Sequence, residues 1–255
     1  MQSSQVQFSI LSHAAWAPGL TAPSDWQEWA RAPFVIQGSD EAPVKDMPAM
    51  LRRRAGFLGK MALEVAYQCL DGREHIPTVF CSRHGDAARA LTLLNNVVDA
   101  EPMSPTSFGL AVHNASAGLF SIARNDQASH IALAAGSSTV EHGVIEACSL
   151  LADGAESVLL VVYDNILPEV YAPYVDCAEQ PHAWAWLMVP GQTMQLSWSG
   201  TTTESADESA DESAEELADA GAMPASLGVL KFFVNQEQEF HHVAQQRLWR
   251  WSRRV

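Results

Sequence analysis

Apolar and polar positions along the chain alternate with two periods, and the changes of period mark out the predicted elements. VQFSILS predicts a short strand over Val6–Ser12. PSDWQEWAR follows as a short helix, with Ser24 as N-cap and Pro23 just outside it. The helical pattern is clearest from Met47 to Leu70. Met50, Phe57, Met61, Leu63, Val65 and Leu70 mark its buried side, and Gly72 lies past its end. TVFCS, Thr78–Ser82, reads as a buried strand and His84–Val98 as a helix. Ser104–Arg124 begins as a loop and continues as a helix of small residues. Then come a strand at Ser129–Ala135, a helix at Ser137–Ala152, a turn at Gly154 and a strand at Ser157–Tyr163. Ala183–Pro190, Met194–Trp198 and Val229–Val234 predict strands forming an antiparallel edge. The tail Asn235–Val255 predicts a helix with a basic end. Strands alternating with helices predict an α/β fold in layers.

Composition changes this picture in one place. The chain of 255 residues carries a net charge of −15, which argues against nucleic-acid binding because phosphate needs clustered Lys and Arg. The acid is concentrated in Glu204–Asp219, with eight carboxylates and no base. That stretch has too little apolar content to offset the entropy of ordering, so it predicts a solvated, mobile insertion, with an acidic docking arm as the alternative. The resulting division is 1–195 as the main domain, 196–226 as the insertion, and 227–255 as a strand and helix completing the domain. Cys69, Cys81, Cys148 and Cys177 form no CxxC pair and no His cluster accompanies them, so no metal is expected. Free thiols, no secretory leader pattern and no apolar run of membrane-spanning length point to a cytoplasmic protein.

The chemistry centres on IALAAGSSTVEHGVIEA, Ile131–Ala147, where an apolar strand turns sharply into a helix. Three stretches here resemble the thiolase-fold β-ketoacyl synthases. MLRRRAGFLGKMALEVAYQCL resembles their first long helix. MSPTSFGLAVHNASAGLFSIAR resembles their Ser-Pro loop and Asn-x-x-x-Gly helix. HIALAAGSSTVEHGVIEACSLLADGAESVLLV resembles the strand, cysteine elbow, buried helix and next strand. The likeness runs over residues 45–190. It implies a thiolase-like α-β-α architecture made of one N-terminal ketosynthase half with a short C-terminal extension.

An active family member has a cysteine at the elbow. Counting back from Gly154 places that position at Ser137, or at Gly136 with one gap, and neither is a thiol. Thioester exchange needs a thiolate, whereas a serine hydroxyl needs an adjacent general base. The family's His-Gly-Thr-Gly-Thr-like motif is also absent, and His241 and His242 do not match it. The chain therefore most resembles the non-catalytic chain-length-factor subunits of type II polyketide and aryl polyene systems. The resemblance implies an active ketosynthase as heterodimer partner, with the chain acting in polyketide, aryl polyene or fatty-acid-type elongation. It implies an acyl carrier protein whose phosphopantetheine brings the growing chain, and no cofactor bound here. In such a pair the strand before the elbow is the shared edge, here Ser129, His130, Ile131, Ala132, Leu133, Ala134 and Ala135. Phe108, His113 and Asn114 are candidates to line the partner's acyl tunnel or to pack the interface.

The alternative is a serine-dependent acyltransferase or hydrolase. GSSTV at 136–140 resembles G-x-S-x-G without its last glycine, which would make Ser137 or Ser138 the nucleophile, with His182 and Asp164 or Asp176 as partners. A capping role for the serines is the plainer reading. His142 and Glu146 stand one helical turn apart and are expected to form a hydrogen-bonded buried pair. Arg52, Arg53 and Arg54 could meet an acidic carrier or its phosphate, but fan around the helix as a mixed surface. RLWRWSRRV could clamp a partner or an anionic surface, or dock its tryptophans on the body.

Overall fold

A computed structural model describes residues 4–201 and 222–254. The acidic stretch Glu204–Asp219, expected as a mobile insertion, lies outside the described residues.

The strands are β1 (Ser4–Trp16), β2 (Thr78–Cys81), β3 (His130–Leu133), β4 (Val158–Asp164), β5 (His182–Gly200), β6 (Glu239–Ala244) and β7 (Arg247–Arg253). The helices are α1 (Pro23–Arg31), α2 (Ala49–Arg52), α3 (Phe57–Leu70), α4 (Ala87–Val98), α5 (Pro105–Gly109), α6 (Ala115–Arg124), α7 (Thr139–Ala152) and α8 (Ala225–Val234). Short 3-10 turns cover Gly136–Ser138 and Glu169–Tyr174. The strands form one sheet in the order β3-β2-β4-β5-β7-β6, with β1 also on β5. β2 runs parallel to β3 and β4, while β4, β1 and β7 run antiparallel to β5.

β4 is apolar along most of its length because both of its faces are covered. Val158, Leu160 and Val162 join a core with Val140, Val144 and Ala147 of α7, the tryptophans of α1, and α8. Leu159, Val161 and Tyr163 face the opposite core, built on α3 and α6. Trp184 and Trp186 of β5 take the first side and Ala183, Ala185 and Leu187 the second. The result is the expected three-layer α-β-α arrangement.

α7 lies tight against the sheet. A Cβ at Gly143 would fall 2.4 Å from Cys81 Sγ and 3.2 Å from Leu160 Cδ1. Gly143→Ala is therefore expected to cost about 1–3 kcal/mol by overpacking, read as a lower urea midpoint at unchanged slope.

Several elements differ from the sequence reading. The helix expected over Met47–Leu70 breaks at Arg53–Gly56 into α2 and α3, and Met50, expected inside, is 74% exposed. Gly56, the N-cap of α3, sits where a Cβ would meet the Arg89 guanidinium at 2.8 Å. In α1, Ala22 rather than Ser24 is the N-cap, and Pro23 opens the first turn. Asp25 reaches back to accept from the Thr21 and Ala22 amides, the second being the backbone donor of the N-cap residue itself. The two strands expected at Ala183–Pro190 and Met194–Trp198 are one, β5, so the domain boundary placed at 195/196 falls inside it. The order expected after residue 227 is reversed. VLKFFV belongs to helix α8, and the tail forms the hairpin β6–β7 instead of a helix. An all-apolar run does not distinguish a strand from a buried helix. In the tail, Trp249 and Trp251 are buried while Arg250 between them is exposed, the two-residue period of a strand.

Candidate functional site

The C-terminal end of β3 leads into the corner Ala134–Thr139. Its left-handed residue is Gly136, with φ +53. This is the strained position of a strand-to-helix elbow, and it falls at one of the two residues singled out by counting. Thr139 holds the turn. Its hydroxyl accepts from the Ala135 amide at 3.0 Å and donates to the Gly136 carbonyl at 2.7 Å. The N-cap of α7 is Ser138, yet its side chain makes no capping bond. Its buried hydroxyl donates instead to Gln245 Oε1 at 3.0 Å, and Gln245 Nε2 donates to the Ala135 carbonyl at 3.1 Å. Gln245 sits in the two-residue turn of β6–β7, so the C-terminal hairpin lies directly over the corner.

The serine-enzyme geometry is not assembled. His142 Nδ1 stands 2.9 Å from the Ser138 carbonyl and 3.2 Å from the Ser138 hydroxyl. A carbonyl only accepts, so Nδ1 carries the proton and has no lone pair with which to take one from Ser138. The expected His142–Glu146 pair is absent for the same reason, since the imidazole turns back onto its own helix. Ser137 is half-buried and lines a cleft of about 590 Å³, which is also lined by Arg83, Cys177, Lys231, Phe240 and His242. His182 is engaged elsewhere. It is fully buried, donates from Nδ1 to the Gln180 carbonyl at 2.8 Å and accepts at Nε2 from the Ser226 hydroxyl at 2.7 Å. Burial lowers its pKa to about 4.

Asp164 ends β4 opposite His182 and accepts from the Ser82 hydroxyl (3.0 Å) and the Arg83 amide (2.8 Å). Burial raises its pKa to about 7 against those hydrogen bonds and the Arg83 charge. Asp176 pairs with Arg83 at 2.5 Å, and Arg83 also donates to Cys177 Sγ at 2.9 Å. Neither aspartate bonds to Ser137 or Ser138. Burial raises every thiol, with Cys69 and Cys177 at about 11 and Cys148 at about 12. Among the described residues no group of three or more His, Cys, Asp or Glu could hold a metal ion.

Two residues that sequence reasoning missed organise the corner. Glu141, in the first turn of α7, is fully buried. Its Oε1 accepts from His242 Nδ1 at 3.1 Å and from Trp251 Nε1 at 3.3 Å, while Oε2 has no partner. Glu141 thus ties the hairpin to α7 and sets where Gln245 lies. In the sequence it is overshadowed by its neighbour His142, whose spacing to Glu146 suggests a local pair. Gln245 had no signal, because QQ reads as part of a helix. His241, beside His242, bonds to Arg250 on the outer face.

Among the described residues β3 pairs with no strand but β2, so its other edge carries no strand. Ser129, His130 and Ala134 are exposed, and Ile131, Ala132, Leu133 and Ala135 half-buried. Phe108, in α5, is 59% exposed. Asn114, exposed, is the N-cap of α6 without a side-chain bond, and His113 Nε2 lies 3.2 Å from the Leu133 carbonyl, joining this loop to the edge strand. Only Arg52 of the three arginines is helical, and Arg53 and Arg54 lie exposed in the break before α3.

Residues 26–252 match the family described as the β-ketoacyl synthase, N-terminal domain. The chain belongs to this family. None of the curated proteins compared matches it. Among solved structures, this β-ketoacyl synthase-family chain is similar to a chain of the ketosynthase (ApeO) in complex with its chain length factor (ApeC) from Xenorhabdus doucetiae. The TM-score is 0.82 at 26% identity, over 97% of this chain and 100% of that one. It also shares its fold with a chain of AntDE:AntF, a type II PKS acyl-carrier protein in complex with its ketosynthase, with TM-score 0.66, 10% identity, and coverage of 97% and 99%. Against the ketosynthase from module 1 of the bacillaene synthase of Bacillus amyloliquefaciens FZB42, 78% of this chain covers 47% of the other, with TM-score 0.54 at 10% identity. The match is thus end to end with chains of these two complexes and about half-length with the ketosynthase from module 1. Among the described residues no helix is long and apolar enough to cross a membrane.

Proposed function

We propose that this chain is a ketosynthase-like subunit without catalysis of its own, acting as a chain length factor in polyketide or aryl polyene elongation. One observation carries the reading. The elbow presents Gly136, Ser137 and Ser138 where a condensing enzyme needs a thiolate, and the hydroxyl of Ser138 is buried against Gln245. The end-to-end likeness to a chain of a ketosynthase–chain length factor complex supports it. The partner is an active ketosynthase, and an acyl carrier protein delivers the chain on its phosphopantetheine. The open edge of β3 is the surface for that partner, because an unpaired apolar strand favours strand addition. Phe108 is the candidate to press on the partner's acyl tunnel, and its exposure, with that of Val112, supports this.

Two measurements test this. Incubated with acyl thioesters, the purified chain is expected to gain no acyl mass, and stable acylation at Ser137 would favour the transferase reading. Co-expressed with a ketosynthase from the same gene neighbourhood, it is expected to co-purify. Ala132→Pro, at the middle of β3, is expected to lower that recovery at least about tenfold by breaking the edge. Undiminished recovery from a folded variant would remove β3 from the interface.

A further inference from the structure

We infer that Gln245 is a built-in stopper of the elbow: its carboxamide fills the space that a side chain at position 136 would enter, while Gly136 and Gln245 themselves stay exposed. The inference deepens the non-catalytic reading above and rests on it for its meaning.

Three observations converge. First, Gln245 and Gln246 form the turn between paired residues Ala244 and Arg247 with φ +52 and +60. Asn and Gly are preferred where both turn residues have positive φ, so glutamine is held there against its own backbone preference. Second, both ends of the carboxamide are bonded to the corner. Oε1 accepts from Ser138 and Nε2 donates to the Ala135 carbonyl. Third, a Cβ at Gly136 would come 3.0 Å from Gln245 Nε2. The carboxamide therefore stands where a side chain at the elbow would begin. Gly136 and Gln245 are a matched pair, in which glycine leaves the room that glutamine fills. The Glu141 bonds to His242 and Trp251 keep the hairpin from lifting.

A turn residue that only staples the hairpin would use the same hydrogen bonds. It would not control access to position 136, and the test reads that access. The full chain is prepared as Gly136→Cys, Gly136→Cys/Gln245→Gly and Gln245→Gly. Each is treated under native conditions with an aromatic disulfide reagent, and labelling at position 136 is followed by intact mass and peptide mapping. The native thiols give a slow background, because Cys69, Cys81 and Cys177 are buried and Cys148 half-buried. The cost of a cysteine at positive φ is common to both cysteine variants and cancels. The thiol introduced by Gly136→Cys is expected to react at least about tenfold faster in the double variant than in the single, since thiol reactivity follows access to the sulfur. Equal rates would overturn the inference. If Gly136→Cys fails to fold, Gly136→Ala replaces it. Its drop in melting temperature is expected to be smaller in the Gln245→Gly background, and equal drops would overturn the inference. Neither readout involves a ketosynthase. Loss of co-purification would sink the partner reading and leave this one standing, and equal labelling would do the reverse.

Discussion

Replacing Glu141 with alanine is expected to cost about 3–5 kcal/mol of stability, because it leaves a desolvated partner unpaired. The carboxylate is fully buried and His242 nearly so, with side-chain exposures of 0% and 13%. The alanine variant would strip His242 Nδ1 and Trp251 Nε1 of their acceptor and open a cavity beneath the hairpin. Glu141→Gln keeps an acceptor and the volume, and is expected to lose much less. Substituting Glu141 and His242 together by apolar residues of similar size is expected to recover a large part of the loss, since such pairs stabilise little relative to hydrophobic replacements. Urea denaturation of the four proteins measures this directly. If the alanine variant lost under about 1 kcal/mol, the pair would not be the hairpin's anchor.

The second large effect depends on pH. Asp164 has its pKa raised from 3.8 to about 7, chiefly by burial. Between those values the unfolded chain releases this proton while the folded chain keeps it. The contribution is whole below the unfolded pKa and is lost as pH climbs toward 7, by about 1.4 kcal/mol per pH unit. His182 does the opposite. Burial lowers its pKa from 6.5 to about 4, so its contribution is present above 6.5 and lost as pH falls toward 4. The two slopes oppose one another between pH 4 and 6.5, and the native protein is expected to show a shallow profile there. Asp164→Asn keeps the acceptor for Ser82 and the Arg83 amide and removes only the titration. Its stability relative to the parent is expected to rise by up to about 4 kcal/mol between pH 4 and 8. A difference flat across that range, in urea melts at each pH, would contradict the assignment.

The sequence carried the α/β architecture well where period and burial agree. β2, β4 and α7 fall within a residue or two of their expected ends because each is a short apolar run or an amphipathic repeat closed by a clear turn. The C-terminal third was misread for a local reason. VLKFFV is apolar at nearly every position, so period cannot decide it, and its helical start depends on Pro224 in the N-cap position. The hairpin turn contains neither Gly nor Asn, so Gln245–Gln246 gave no warning of a reversal. The corner was legible as a strand-to-helix turn without a cysteine, from Gly136, Ser137 and Ser138 alone. What fills it was not, because the bonds from Gln245 and His242 to α7 join residues far apart along the chain. The expected roles of Ser138 as cap and of Glu146 as partner to His142 assumed local bonds, where the structure uses long-range ones.

β5 has β4 and β7 along one side and β1 along the other, so this one strand holds the sheet in register. β1 is made long before β5 and, among the described residues, has no other strand to join. Until β5 is synthesised, thirteen residues of β1, with Phe8 and Trp16 destined for the interior, remain without a template. Pairings between distant segments form slowly and expose the nascent chain to association. Folding yield should therefore depend on the interval between synthesis of β1 and of β5, and on whatever shields β1 in the meantime.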